Sequence, residues 1–512
     1  MNRSLLHPAL TRRRLLEGSA AVAASSLLSG CTTLSTPYIP SNPISPINPT
    51  NPQPIPPGDI TPITVTVTLP PASSGALPAS SFIGLSYEKS TLYEPLFTAS
   101  NTNLIALFNL IGANVLRIGG NSVDRNIWTP NGAGQTAGQI APSDVDACAA
   151  FIKATGWQVI YGINLGGSAN GTQTTTLAAA EVAYAASKFG NALLGIEIGN
   201  EPDLYSTNYY TTGFTLSQFV TIWQEYRAAI RNTTPTAFIT GPATSGNEST
   251  WTVPFGQSVT KSQVSLLTQH YYRANGQSPT STAAFLVTPD STLINDLKTL
   301  NTGATSIGVP FRMSECNSFY NGGASGISNS YASALWVLDY MYNCAQGGAS
   351  GVNFHGGGDG TGYTPIADNN GAVVEARPEF YGITFFSLAG GGELATTTIS
   401  GAGVINVTAY AIKAVTGTGL NLVLINKDST ANLEATLVLP QTVKTATLLA
   451  MTQLTAGATG PSLTATEGVT IQGATINPDG TFKPAAAYKL SHTTTSVTCY
   501  IPALSAVLVQ LT

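Results

Sequence analysis

Between Ser81 and Gly390, short apolar runs alternate with longer segments of helix-compatible spacing. The runs are Phe82–Tyr87, Ala113–Ile118, Gln158–Ile163, Leu193–Ile198, Ala237–Thr240, Val264–Gln269, Pro310–Ser314 and Ser350–Phe354. They are continuously apolar rather than alternating, the pattern of parallel strands buried on both faces. Segments between them, such as Leu104–Ile111, Asp144–Ala154, Leu177–Phe189, Leu216–Ile230 and Tyr331–Tyr342, place apolar residues at three- and four-residue intervals. Strand and helix alternating in this way predict a (β/α)8 TIM barrel over residues 81–388. After about Gly390 the texture changes to Thr/Val-rich alternation, as in Gly403–Ile412 and Leu420–Ile425, broken by Gly, Pro and Asn. That predicts an antiparallel β-sandwich over 389–512. Ile63–Leu69 has the same period, so residues 60–80 are expected to supply a strand to that sandwich before the chain enters the barrel.

A barrel of this kind carries its chemistry at the carboxyl ends of its strands. The residues that follow the runs are Glu88, Gly119-Gly120-Asn121, Asn164, Asn200-Glu201, His270-Tyr271-Tyr272, Glu315 and His355. Polar groups at so many strand ends imply one shared site. Glu201 follows the fourth run and Glu315 the seventh, far apart in the chain but on one rim of a barrel. Two such glutamates are what glycoside hydrolysis needs, one as proton donor and one as nucleophile, at the separation of about 5–5.5 Å used by retaining enzymes. Glu315 is expected to attack the anomeric carbon. Glu201 is expected to protonate the departing oxygen and then to activate water. An acid in that role must keep its proton near neutrality, which burial and a neighbouring carboxylate favour. Asn200 is placed to hydrogen-bond a sugar 2-hydroxyl, and Tyr271 to donate to Glu315 and hold it in line. His270 and His355 are expected to pack or hydrogen-bond, because no metal-ligand spacing accompanies them. The Gly119-Gly120 and Gly356–Gly358 stretches fit no phosphate-binding spacing.

Only 9% of the 512 residues are Asp, Glu, Lys or Arg, against about a quarter in ordinary proteins. With a net charge of −5 and no basic run, nucleic acid is not an expected partner. The amino-terminal segment alters the picture further. Thr11-Arg-Arg-Arg-Leu-Leu16 resembles a twin-arginine export signal, and the apolar stretch Gly18–Leu28 is too short to span a bilayer as a permanent helix. Leu28-Ser-Gly-Cys31 resembles a lipobox, which makes Cys31 the candidate lipidated residue of an exported periplasmic or cell-surface bacterial lipoprotein. A cleaved signal with an incidental cysteine is the alternative. Residues 1–31 are therefore assigned to the signal. Residues 32–59, dense in proline, form a semi-rigid tether extending about 3.1 Å per residue, with no packed structure before Asp59. Membrane association is expected only through that lipid, and nothing in the sequence specifies an oligomeric state. The remaining cysteines, Cys148, Cys316, Cys344 and Cys499, are expected to be buried free thiols. A Cys316–Cys344 bridge is disfavoured because a helix over Asn329–Ala345, about 25 Å long, should carry Cys344 away from the site.

Asn200-Glu201-Pro202, Gln269–Tyr272 and Ser314-Glu-Cys-Asn-Ser-Phe-Tyr-Asn-Gly-Gly323 are similar to glycoside hydrolase family 79, which contains bacterial and fungal β-glucuronidases and the animal heparanases. Gly84–Glu88, Leu116–Asn121, Val352–Gly358 and Arg377–Gly382 match it too, so the resemblance runs from about Phe82 to the carboxyl terminus. It implies a retaining enzyme without metal or organic cofactor, with Glu201 as acid/base and Glu315 as nucleophile. It further implies that Glu88, Asn121 and Asn200 bind sugar hydroxyls. A uronate carboxylate would be held by backbone N–H groups of the Gly322-Gly323 loop and by Tyr320 and Tyr363. The animal relatives cut within a sulfated polymer using clusters of Lys and Arg, and this sequence has none. The implied substrate is thus a β-glucuronide-containing carbohydrate from which a terminal β-D-glucuronic acid, with or without a 4-O-methyl group, is removed. Two rival readings are a retaining barrel glycosidase for a neutral sugar and a surface lipoprotein that captures glycans without cutting them.

Overall fold

The computed structural model describes residues 51–69, 76–78, 80–415 and 417–512. The signal segment, Cys31 and most of the proline-rich stretch lie outside the described residues. Eight strands close into a parallel barrel: β1 (Gly84–Glu88), β2 (Val115–Gly119), β3 (Gln158–Ile163), β4 (Leu193–Ile198), β5 (Ile239–Thr244), β6 (Leu266–Asn275), β7 (Phe311–Tyr320) and β8 (Val352–Gly356). Each is followed by a helix: α1 (Thr102–Leu110), α2 (Pro142–Thr155), α3 (Thr175–Phe189), α4 (Leu216–Thr233), α5 (Val253–Val259), α6 (Ser291–Ile307), α7 (Tyr331–Gln346) and α8 (Pro378–Ala389). All eight expected strands are present, and the (β/α)8 expectation holds.

The helices begin where side chains can satisfy their free amides. Thr215 and Gln218 form a reciprocal capping box at α4. Asp290 caps α6 by accepting from the Leu293 amide at 3.1 Å. Left-handed Gly156 and Gly308 end α2 and α6.

Carboxyl-terminal strands form a sandwich. Its sheet path, among the described residues, runs Val469–Ile471, Ala446–Gln453, Ser505–Leu511, Leu420–Asn426, Val407–Lys413, Gly392–Ser400, Ile60–Thr68, Asn432–Val438 and Ser496–Ile501. Gly392–Ser400 turns the corner between the two faces. Glu393–Ala395 pair with one face, while Thr396–Ser400 pair with Ile60–Thr68 on the other. Ile63, Val65 and Val67 then pack with Leu422, Leu424, Leu433 and Val509 in a buried layer between the faces. One pairing departs from the antiparallel expectation: Ile60–Thr68 runs parallel to Asn432–Val438. This strand enters from before the barrel, so no hairpin dictates its direction.

Two other expectations are corrected. Packed structure starts before Asp59: Pro52 bridges to Lys489, and the Gln53 side chain exchanges hydrogen bonds with the Tyr500 backbone at 2.6 and 2.9 Å. Proline removes backbone donors, but these contacts use the Asn51 carbonyl and the Gln53 side chain, which remain available. The four cysteines are free and buried, as expected, but Cys316 and Cys344 are not held apart by the length of α7. Both thiols face the Tyr340 hydroxyl, because α7 packs back along β7. Among the described residues, no helix is long and apolar enough to cross a membrane.

Candidate active site

Arg117 lies in the middle of β2, fully buried, at the centre of the barrel. A guanidinium can be buried only if it is paired, and four strands supply the partners. Its Nε donates to Glu197 Oε2 at 2.6 Å and its Nη1 to Glu315 Oε2 at 2.6 Å. Nη1 also reaches Ser86 Oγ at 3.2 Å, and Nη2 donates to Asn200 Oδ1 at 2.9 Å. Burial disfavours the charge, but Glu197 and Glu315 raise the guanidinium above its ordinary value and keep it cationic. Since Asn200 Oδ1 accepts from Arg117, its amide nitrogen is left as a donor for a ligand.

His270 Nε2 is 3.2 Å from Arg117 Nη2 and Nδ1 is 3.0 Å from Glu201 Oε1. An arginine has no acceptor. His270 must therefore accept at Nε2, carry its proton at Nδ1 and donate it to Glu201 Oε1; the assignment follows from the network. Glu201 Oε2 is left for proton exchange. Glu201 itself follows β4 in the left-handed conformation, φ 51° and ψ 55°, with its amide donating to Ala243 O at 2.8 Å.

Both oxygens of Glu315 are hydrogen-bonded, Oε2 by Arg117 and Oε1 by the Tyr272 hydroxyl at 2.8 Å. Burial pushes this carboxyl up, but His355, His270 and Arg117, with the Tyr272 hydrogen bond, outweigh it and hold Glu315 well below the usual carboxylate range. His355 Nδ1 lies 3.7 Å from Glu315 and Nε2 lies 3.7 Å from Glu88. Burial lowers the imidazole's affinity for protons, yet these two carboxylates raise it above its ordinary value overall. Glu88 in turn accepts from the Asn121 and Ser122 amides at 3.2 and 2.7 Å. Burial works to raise the Glu88 carboxyl, but His355 and Ser122 bring it below its ordinary value.

One oxygen each of Glu201 and Glu315, with a nitrogen of His270, all fall within 4.8 Å of one another. Such a group could in principle hold a cation. The donor set argues otherwise, because Arg117 already places a positive charge on Glu315 and occupies His270 Nε2.

The structure thus brings Glu201, Glu315, Asn200 and Glu88 together. Tyr363 joins them, its ring 5.7 Å from that of Tyr272 and 6.0 Å from His355. The loop that carries it is anchored by Arg377, which donates to the Asp359 and Gly360 carbonyls. Gly322 and Gly323 lie against this loop. The Tyr363 amide donates to Gly322 O at 3.3 Å, and a Cβ on Gly362 would fall 1.6 Å from that oxygen. Asn121 reaches the site through its backbone, with an exposed side chain. Tyr320 is 45% exposed at the end of β7, and its carbonyl accepts from Gly276.

Tyr271 is a correction. It does not touch Glu315; its ring stacks on Tyr340 of α7 and its hydroxyl donates to Asp290, the cap of α6. Successive strand residues point to opposite faces. With His270 aimed inward, Tyr272 shares its face and Tyr271 cannot. Arg117 and Glu197 stand outside the expected set, although a charge inside an otherwise apolar parallel strand demands a buried partner, a signal that marks both. Asp124 and Tyr205 carry no such signal.

No protein-family model matches the chain. A β-glucuronidase of Aspergillus niger is 28% identical over 324 residues, 55% of this chain and 58% of that protein. A β-glucuronidase of Neurospora crassa is 25% identical over 256 residues, 44% of each. The chain therefore spans about half the length of these curated relatives. Among solved structures, a 4-O-α-L-rhamnosyl-β-D-glucuronidase from Fusarium oxysporum 12S, in complex with Rha-GlcA, superimposes with a TM-score of 0.71 at 20% identity, covering 87% of this chain and 99% of that one. The GH51 arabinofuranosidase of Xanthomonas axonopodis pv. citri gives 0.61 at 13% identity, covering 88% and 100%. These likenesses show the fold: a closed eight-stranded parallel barrel with an additional sheet domain.

Proposed function

We propose that the protein is a retaining glycoside hydrolase acting on terminal β-D-glucuronic acid, 4-O-methylated or not. The observation that carries this is the pair of carboxylates on β7 and just after β4, Glu315 and Glu201, with oxygens inside 4.8 Å. Retaining enzymes hold their carboxyl groups about 5–5.5 Å apart and inverting enzymes about 6.5–9.5 Å, and the close approach of these oxygens supports the retaining case. Glu315, ionised beside Arg117 and Tyr272, attacks the anomeric carbon and forms a glycosyl ester. Glu201 gives its Oε2 proton to the departing oxygen. It then takes a proton from water, which attacks the same carbon and releases Glu315 as carboxylate. Arg117 and Tyr272 stabilise that leaving carboxylate, and the Asn200 amide is positioned for a sugar hydroxyl.

The uronate preference is supported by the β-glucuronidases that the chain resembles. It is also consistent with the phenol of Tyr363 and the backbone of the Gly322-Gly323 loop, which can satisfy a carboxylate without a lysine or arginine. Hydrolysis of 4-nitrophenyl β-D-glucuronide, set beside the glucoside and xyloside, tests it. Release from the glucuronide is expected, with Glu315→Gln slower by on the order of a thousandfold or more. Preference for a neutral sugar would discard the uronate assignment, and no release from any substrate would favour glycan capture. We further propose, from the twin-arginine-like and lipobox-like segments of the sequence, that the protein is exported and carries a lipid at Cys31. Labelled fatty acid should enter the wild type and not Cys31→Ala; equal labelling would remove the anchor.

A further inference from the structure

Asp124 sits just after β2, 4% exposed, and all its hydrogen bonds reach other strand ends. Its Oδ1 accepts from the Leu165 and Gly166 amides after β3, at 2.8 and 2.9 Å. Its Oδ2 accepts from the Tyr205 hydroxyl at 2.6 Å and from the Asn200 amide at 3.2 Å. The Asn200 amide is also 3.4 Å from the Tyr205 oxygen. One carboxylate oxygen therefore closes the segment Asn200–Tyr205 at both ends, and Glu201 lies inside that closed loop. Two glycines permit the approach. A Cβ on Gly166 would sit 2.8 Å from Asp124 Cβ, and one on Gly199, at φ +84°, would sit 2.7 Å from the Tyr205 hydroxyl. The left-handed backbone of Glu201 is disfavoured for any residue with a side chain, so something must hold it.

We infer that Asp124 and Tyr205 form a positioning clamp that fixes the left-handed turn at Glu201 and thereby aims its carboxyl at the leaving oxygen and at the attacking water. Both are buried and touch no substrate. The inference rests on the retaining-glycosidase reading of Glu201. It predicts a defect concentrated in proton transfer, since Glu315 keeps its own two hydrogen bonds, from Arg117 and Tyr272.

The test compares wild type, Tyr205→Phe and Asp124→Asn on phenyl and 2,4-dinitrophenyl β-D-glucuronide, with and without azide. Tyr205→Phe removes one hydroxyl and keeps the ring. Asp124→Asn keeps the shape and puts a donor where an acceptor stood. With the phenyl substrate, whose departure needs a proton, kcat/KM is expected to fall by on the order of ten- to a hundredfold. With the dinitrophenyl substrate kcat/KM should hold, while kcat and KM fall together as the glycosyl-enzyme accumulates. Azide should then restore kcat. It attacks the anomeric carbon, forming a C–N bond as the ester bond to Glu315 breaks, and it requires no base. Equal losses on both substrates without azide rescue, or wild-type behaviour in both variants, would overturn the clamp while leaving the function intact. Wild type inactive on both substrates would overturn the reading of Glu201 and the clamp with it. Thermal melts near the wild-type value confirm that the variants are folded.

Discussion

Tyr272 and Arg117 each give one hydrogen bond to Glu315, on opposite oxygens. The Tyr272 hydroxyl binds the ionised carboxylate better than the neutral acid, so removing it raises the Glu315 pKa. Tyr272→Phe should therefore move the acid limb of the kcat/KM profile to higher pH. It should also lower kcat by about ten- to a hundredfold, since a hydrogen bond to a charged group contributes about 1.5–3 kcal/mol. An unchanged acid limb would remove Tyr272 from this role, and Tyr271→Phe should leave the limb in place. The depressed Glu315 carboxyl also stabilises the fold above its unfolded pKa, a contribution lost as pH falls. Raised His355 acts in the opposite sense, stabilising below its unfolded pKa and losing that contribution as pH rises. At this scale the glutamates could be found by their place after apolar runs. The choice between Tyr271 and Tyr272 could not, because the apolar run before them is buried on both faces and does not show which face turns to the barrel axis.

The elements differ most from expectation at β6 and β7. Their apolar runs stop at Gln269 and Ser314, yet the strands continue to Asn275 and Tyr320. Hydropathy ends where the site begins, so His270, Tyr272 and Glu315 belong to the strands themselves and share their rigidity. Helix α8 shows a related effect. Glu379 in its first turn is fully buried, with Asn317 of β7 donating to it at 3.2 Å. Burial pushes its carboxyl up to about 8, against smaller opposing effects of Asn317 and Arg377. Because the folded state binds this proton more tightly, the stabilisation is complete below the unfolded carboxyl pKa and is lost as pH rises through about 8. Glu379→Gln should match wild type in thermal midpoint near about pH 5 and exceed it by several degrees near about pH 9. A constant difference across that range would mean that Glu379 is not the titrating group.

The barrel and sandwich meet along α7 and α8. Asp339 of α7 accepts from Thr408 and Tyr410 hydroxyls at 2.6 and 2.9 Å and from the buried Lys427 ammonium of the sandwich. Tyr342 stacks on Tyr410 at 4.5 Å, and Tyr331 donates to Leu504 O at 2.9 Å. The main apolar core extends from the barrel through these helices to Val423, Ile425 and Leu508. Lys427→Met leaves Asp339 without its counter-charge and should cost about 3 kcal/mol. All tryptophans of the chain, Trp128, Trp157, Trp223, Trp251 and Trp336, lie in the barrel. Urea unfolding followed by tryptophan fluorescence therefore tests the coupling. A sandwich substitution that shifts this transition shows that the two parts unfold together, whereas an unmoved transition would make them independent.

What the sequence by itself determined is what local periodicity encodes: continuous apolar strands alternating with amphipathic helices, a Thr/Val-rich sandwich, and Glu201 and Glu315 at strand ends on one rim. Burial on two faces leaves that pattern in any parallel barrel. Tertiary structure alone decided which charges Arg117 would pair, which tyrosine would face Glu315, how His270 would orient its proton, and that Asp124 would close the loop around Glu201. Each of these depends on the register between strands and on loops meeting across the barrel mouth, distances that no spacing along a single chain records.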